Sequence, residues 1–395
     1  MTPAESRFAL LTTDEEFDKL EDEWTALMAV SSADALFCSH PWMRTWWRHY
    51  GEGGRLAIAT LRDEDGALEG VAPCYISQQS ARDLEKEIVG DVRVIIGTEG
   101  AELRVLAPMG RGETCADYVG FIARRGAEDR IWSDLFTFLA REVDWDVFDM
   151  PDVNEDAPGF NALQYAAMAC KHQRHVDRYA APFAALPGDY EAYLQTLSKK
   201  SRYNARKKVK QIRIWHELEH RHHESADALD EAMETFYRLH TERWESEGKP
   251  GVFASKKMRA FHKDMARTGL ARGWLRLGTT HLDGGPASFA TYAFHAGDRV
   301  YLYQQGGVPE NPKFNLGYAA LAFSIEDACA RGAKAYDFLR GEADYKLHWA
   351  KESRRLVQFL AGRTTKSTRF FTRAFLNTDP AVRNAVKRVI RRGAH

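Results

Sequence analysis

Between Gly273 and Gln305 the chain passes through three segments of strand composition, Gly273 to Leu282, Ala287 to His295 and Arg299 to Gln305, separated only by Asp283-Gly284-Gly285-Pro286 and Ala296-Gly297-Asp298. Connections this short leave no room for a crossover, so the three strands must form an antiparallel meander. A loop with Pro309 and Pro312 leads into a helix from about Leu316 to Arg331, stopped by Gly332, and then a strand from Ala335 to Leu339. Helix and strand returning at once to the meander make an α/β layer. A late strand, Leu356 to Leu360, is expected to close this second sheet.

The first half runs in a similar order. A helix is expected over residues 14 to 29 and a tryptophan-rich one over 41 to 50, then strands Arg55 to Leu61 and Leu68 to Ile76 around the turn Asp63-Glu64-Asp65-Gly66. A strand at Leu103 to Leu106, a helix from Glu128 to Glu142 and a strand from Asp146 to Met150 follow. Each half ends its last strand on an aromatic and an aspartate, Phe148-Asp149 and Tyr336-Asp337, which reads as an internal repeat. At 395 residues two cores are expected. We assign residues 1–185 to an N-terminal domain that serves as a substrate platform, 186–225 to a basic linker or helix, 226–362 to a C-terminal catalytic domain and 363–395 to a basic amphipathic tail. The C-terminal domain opens on an amphipathic helix with Leu229, Met233, Phe236, Tyr237 and Trp244 on its apolar stripe.

Composition narrows the function classes. Hydrophobic residues at 44% and charged residues at 28% describe a folded globular protein, and a net charge of −1 argues against a nucleic-acid partner. No stretch reaches the roughly 18 uninterrupted apolar residues of a spanning helix, and the N-terminus lacks the pattern of a secretory signal, so a cytoplasmic location is expected. The five cysteines, Cys38, Cys74, Cys115, Cys170 and Cys329, are scattered among apolar neighbours with no C-x-x-C pair, so they are read as packing residues and no metal is expected.

Several short segments carry a resemblance. Phe37-Cys38-Ser39-His40-Pro41-Trp42 with Trp46, Gly70-Val71-Ala72-Pro73, Ala116-Asp117-Tyr118, Leu239-His240-Thr241-Glu242-Arg243-Trp244 and Tyr336-Asp337-Phe338-Leu339-Arg340-Gly341 followed by Tyr345-Lys346 occur in the order found in tandem acyltransferases. The C-terminal half is similar to the GNAT acyltransferases, and residues 10 to 362 resemble the tandem-GNAT proteins of the CelD or BioF2-like group, relatives of the FemABX peptidyltransferases. The resemblance implies an α/β (α+β) fold of two GNAT-like domains, each a mixed, mostly antiparallel sheet flanked by helices. It also implies acyl transfer from acetyl-CoA or another acyl-CoA. The GNAT pyrophosphate pattern implies cofactor binding over Lys313, Phe314, Asn315, Leu316, Gly317, Tyr318 and Ala319, with Gln304 beside them. Phe314 departs from the Gln or Arg that usually opens that pattern. Independently of the family, a glycine-containing helix start offers free N–H groups and a positive dipole end to phosphate, although it is also an ordinary cap.

Acyl transfer to an amine needs a base for the amine, a donor for the carbonyl oxygen and an acid for the leaving thiolate. Candidates are Asp337 as base or amine anchor, a tyrosine, Tyr303 or Tyr345, as acid, and Lys346, Arg340 and His240 nearby. Each has a plainer alternative: Asp337 pairing with Arg340, Tyr303 packing in its strand, and His240 sitting satisfied in an apolar face. Trp42, Trp46, Asp117, Tyr118, Arg243 and Trp244 are candidates for the acceptor, with the tryptophans equally able to fill a core.

The acid-free run Lys199, Lys200, Arg202, Arg206, Lys207, Lys208, Lys210 and Arg213 calls for an anionic partner or open water. The tail carries Arg363, Lys366, Arg369, Arg373, Arg383, Lys387, Arg388, Arg391 and Arg392 between apolar residues, which suits peripheral contact with an inner membrane, a nucleotide messenger or packing on the catalytic domain. The leading expectation is an N-acyltransferase acting on an amino sugar or lipid-linked glycan in exopolysaccharide assembly, the glycan resting on the resemblance alone. Its rivals are a FemABX-type aminoacyl transfer from tRNA and a non-catalytic scaffold for a polysaccharide-synthesis partner or nucleotide.

Overall fold

The computed structural model describes residues 7–81, 83–84, 102–170, 172–308 and 315–363. The chain divides into two compact units, one holding the residues up to Arg178 and again from Leu356, the other Tyr179 to Arg355.

In the first unit β1 (Phe8–Leu11) precedes α1 (Asp14–Lys19) and α2 (Glu21–Ala29), two helices where the periodicity predicts one. The interruption falls at Leu20, whose N–H bonds back into α1 while its residue opens α2. Thr13 and Glu16 close a capping box at the start of α1, the Glu16 carboxylate accepting from Thr13 N at 3.0 Å. The tryptophan-rich α3 (His40–Tyr50) starts on Ser39, with Pro41 in its first turn, and turns Trp42 and Trp46 into the core. The antiparallel strands β2 (Arg55–Arg62), β3 (Leu68–Ser80) and β4 (Glu102–Pro108) follow, then the short β5 (Ile122–Ala123), α4 (Glu128–Glu142) and β6 (Val147–Asn154), with α5 (Phe160–Ala166) beyond. β6 pairs parallel to β4 through Val105 with Val147 and Leu106 with Phe148. Trp132, Leu135, Phe136 and Leu139 of α4 bury one helical face against Phe148 and Met150.

The second unit takes the end of β7 (His172–Ala185), α6 (Tyr190–Thr196), α7 (Lys199–Trp215), β8 (Leu218–His222), α8 (Ala226–Ser246), α9 (Lys256–Ala271), β9 (Leu275–Leu282), β10 (Ala287–Ala296) and β11 (Arg299–Gly307). α10 (Leu316–Ala330), β12 (Ala335–Asp337) and α11 (Asp344–Trp349) complete it. β9, β10 and β11 are the antiparallel meander, and β12 lies parallel to β11. The stretch expected as a basic linker or helix is helical, and α7 packs into this unit: Ala205, Val209 and Ile212 recur at helical spacing, Ala205 joining Leu321 of α10 and Val209 and Ile212 joining Phe289, Leu316, Ala319 and Ala320 of β10 and α10. A charge count hides that stripe.

The late strand is the other revision. β13 (Glu352–Gly362) carries Leu356 to Gly362 beside β6 of the first unit, antiparallel, instead of closing the second sheet. Val357, Phe359 and Ala361 enter the first unit's core, and that burial outweighs nearness in sequence. The internal repeat is then exact in topology. Strand order β1, β2, β3, β4, β6, β13 in one unit matches β8, β9, β10, β11, β12, β7 in the other, with helix α4 or α10 before the parallel strand. Cys38, Cys74 and Cys329 are buried as small hydrophobes, burial pushing the Cys38 thiol up to about 12 and Cys329 to about 11.

Candidate active site

The second unit's sheet opens where β11 and β12 part. Their parallel pairing stops at Tyr301 with Asp337, while β11 continues to Gly307. Along that free stretch β11 bulges, Tyr292 pairing with Gln304 and Ala293 with Leu302, so Tyr303 is the extra residue and the strand bends. Gly306 then lies against α8: a Cβ there would stand 2.4 Å from the His240 backbone nitrogen, so only glycine permits the approach.

A cavity of about 390 Å³ sits beside this opening. Phe289, Leu321 and Trp349 supply its apolar wall, and Asn204, Lys208, Arg243, Gln305, Asn315, Gly317, Tyr318, Tyr345 and His348 the rest, with no carboxylate among the described residues of the lining. The start of α10 forms one side. Asn315 caps it, its side chain accepting from Tyr318 N at 2.9 Å, and the first turn holds no acid that would occupy the positive helix end. Lys208 of α7 lies over the Tyr318 ring, 5.6 Å from its centroid, and that ring stacks on Trp349 at 4.4 Å. Asn204 and Lys208, four residues apart, therefore form the inward edge of the basic helix.

Two wall residues carry buried polar atoms with no hydrogen-bond partner among the described residues, Oε1 of Gln305 and Nε1 of Trp349. One accepts and the other donates, and such groups normally find partners. A ligand bearing an amide satisfies both.

Opposite them, burial pushes the Tyr345 hydroxyl up to about 12, so it stays protonated at neutral pH and is a donor rather than a base. Arg243 stands close enough to oppose that shift. His348 Nδ1 lies 2.7 Å from the Asp344 carbonyl oxygen. A carbonyl only accepts, so Nδ1 is the donor, which in the neutral tautomer places the lone pair on Nε2.

The other sequence candidates are distributed differently. Asp337 is fully buried and away from the cavity lining: Oδ2 accepts from Arg354 Nη1 at 2.8 Å and Oδ1 from Leu339 N at 2.9 Å. Arg354 is an ionic partner of Asp337, and the Arg340 guanidinium lies over Tyr179. Lys346 is buried and donates to the carbonyl oxygens of Leu339, 3.0 Å, and Arg340, 2.6 Å. Leu339 holds φ 57°, a conformation costly for a branched side chain, and Asp337 and Lys346 clamp the turn on either side of it. Tyr303 packs on His262 and Phe294 within the core, and His240 is buried with Nε2 accepting from Trp244 Nε1 at 2.9 Å and Gln304 alongside. Leu316 and Ala319 belong to the core under α7, and Lys313 and Phe314 lie outside the described residues. In the first unit Trp42 and Trp46 are buried against Phe37 and Tyr75, and Asp117 and Tyr118 are buried as well. Asn204, Gln305, His348 and Trp349 are not singled out by the sequence, and Lys208 only as one cation of the basic run. The i, i+4 pair of Asn204 and Lys208 is the one local signal that would have found any of them.

Among the described residues no helix is long and apolar enough to cross a membrane, and no group of three or more His, Cys, Asp or Glu side chains is placed to hold a metal ion. The tail from residue 364 lies outside the described residues.

Residues 199–347 match the family of the acetyltransferase (GNAT) domain. No curated protein sequence matches the chain. Among solved structures, that of FemX superposes with a TM-score of 0.58 at 12% identity, over 86% of this chain and 95% of that one. A protein of unknown function from Bacteroides thetaiotaomicron does so with a TM-score of 0.53 at 11% identity, over 90% of this chain and all of the other, 100%. Likeness at this identity speaks to fold. The fold is mixed α/β, two GNAT-like units in tandem, with the acetyltransferase domain in the second.

Proposed function

We propose that the second unit transfers an acyl group from a CoA thioester, acetyl-CoA first among them, to an amine. One observation carries this reading: the cavity joins a cationic, acid-free helix start to an apolar wall bearing one unpaired amide-type acceptor and one unpaired donor. That pattern suits a ligand with phosphates at one end and an amide-containing arm. Lys208 and the first turn of α10 would hold the phosphates, and Gln305 and Trp349 the amides of the arm. The bound thioester supplies an electrophilic carbonyl with a thiolate leaving group.

The chain's own groups do the rest. His348 Nε2 takes a proton from the attacking amine, a role that passes to it from Asp337 because the latter is committed to Arg354. Arg243 places positive charge beside the carbonyl oxygen as negative charge develops there. Tyr345 remains protonated and delivers its proton to the departing sulfur. An amino sugar or lipid-linked glycan as acceptor, and a place in exopolysaccharide assembly, follow from the resemblance to the CelD or BioF2-like group.

Calorimetry with CoA and thiol release from acetyl-CoA across a panel of amino sugars test this. Lys208→Ala is expected to weaken CoA roughly tenfold, as loss of a charge-assisted phosphate contact does. No heat with CoA and no thiol release from any acceptor would sink the reading.

A further inference from the structure

α7 turns two different edges to its surroundings. Asn204 and Lys208 face the cavity and Ala205, Val209 and Ile212 face the core. At about 100° per residue, Lys199, Arg202, Tyr203, Arg206, Lys207 and Lys210 fall on the remaining arc, and an open groove of about 440 Å³ runs along those six. Inside the unit the arc is tied, among the described residues, only near its start, where Arg202 donates to the Gln195 side chain and Arg206 to Glu191. Among the described residues only Arg206 of these cations has a carboxylate within ion-pair reach, Glu191. Tyr203 is 59% exposed with Lys207 over its ring at 5.1 Å.

Ile214 continues the arc, while Trp215, about 100° further round on the side of Asn204 and Lys208, closes the helix. Ile214 is 64% exposed and Trp215 72%. A helix whose dense positive face also carries an aromatic ring, Tyr203, and an aliphatic side chain, Ile214, with an exposed Trp215 at its end, matches a lipid interface, where cations meet headgroup phosphates and Tyr and Trp settle at headgroup depth. A nucleic acid would use the cations and stack on Tyr203, but Ile214 would gain nothing from it. The chain's own segment 364–395 is itself rich in Lys and Arg and does not complement the face.

We propose that the outward face of α7, from Lys199 to Trp215, docks the protein on an anionic phospholipid surface. The cavity edge formed by Asn204 and Lys208 then lies within about one helix diameter, roughly 10 Å, of the lipid. This docking holds whether or not the cavity performs acyl transfer.

Sedimentation of the full chain with vesicles tests it, comparing phosphatidylcholine alone with an equal mixture of phosphatidylcholine and phosphatidylglycerol. The protein is expected to sediment with the anionic vesicles only. The triple variant Lys199→Glu, Lys207→Glu, Lys210→Glu should lose at least roughly tenfold in partitioning, and Ile214→Ser with Trp215→Ser several-fold, each with unchanged melting temperature and CoA affinity. If charge reversal lowers the melting temperature, the corresponding glutamine triple takes its place. Wild-type protein that ignores the anionic vesicles overturns the proposal, as does a triple variant that binds them as the wild type does. A bulk tRNA arm decides the rival partner. Loss of tRNA binding in the triple, with vesicle binding untouched by Ile214→Ser and Trp215→Ser, would make the face a nucleic-acid surface and overturn the lipid assignment.

Discussion

The two units place a helix at the same point of the same topology, α4 before β6 and α10 before β12, yet only one helix start is open to a ligand. α4 begins with Glu128 and Asp129 in its first turn. The buried Glu128 carboxylate accepts from Gly126 N at 2.7 Å and Ser32 Oγ at 2.8 Å, so the positive helix end already has an anion of its own. α10 begins with Asn315 and Gly317, has no acid in that turn, and has Lys208 beside it. The scaffold is repeated, and the acids in the first turn of α4 distinguish that helix start from the acid-free one of α10.

The sharpest way to break this comparison is Gly317→Trp, which fills the open turn. CoA affinity should fall by at least roughly 100-fold with the thermal transition in place; an unaltered dissociation constant would put the ligand elsewhere. Next in size is Tyr345→Phe. Loss of the proton donor should lower kcat by about 100-fold while CoA affinity measured by calorimetry stays the same, and a weakened affinity with normal kcat would recast Tyr345 as a binding group.

The units should also separate on acidification. Burial drives His240 down to about 4 and His220 down to about 3, both in the second unit. These groups stay neutral in the fold and take up protons once unfolded, so their stabilisation is complete above pH 6.5 and lost as pH falls toward those values. By pH 5 His240 alone removes roughly 2 kcal/mol. In the first unit His40 is the one histidine with a resolved downward shift among the described residues. Native-state hydrogen exchange should therefore show α8 amides losing more protection than α3 amides between pH 7 and pH 5, and equal loss would contradict it. The smallest effect is expected from Glu128→Ala, about 1 kcal/mol of first-unit stability in urea titration, with CoA binding still confined to the second unit.

Much of this was legible in advance. The meander from Gly273 and the helix Glu128 to Glu142 follow from alternation, turn residues and helical period, all local properties of the chain, whereas the aromatic-aspartate pair ends β12 but falls early in β6, which runs on to Asn154. The helix start at Asn315 to Tyr318 was legible for the same reason. Asp337 was placed at a strand end correctly, but its burial against Arg354 joins residues 17 apart through the fold and leaves no local trace. His348 and Trp349 were passed over because a short helix of mixed composition gives no period to read.

What the amino-acid order determined by itself is therefore the sequence of elements, their duplication and the absence of acid around one helix start. What only the tertiary structure decided is which unit takes the strand from Leu356, which edge of the basic α7 faces the cavity, and which ionisable groups remain accessible. The reason is physical: period and turn chemistry act over a few neighbouring residues, whereas burial and charge pairing depend on partners that meet once the apolar faces have packed.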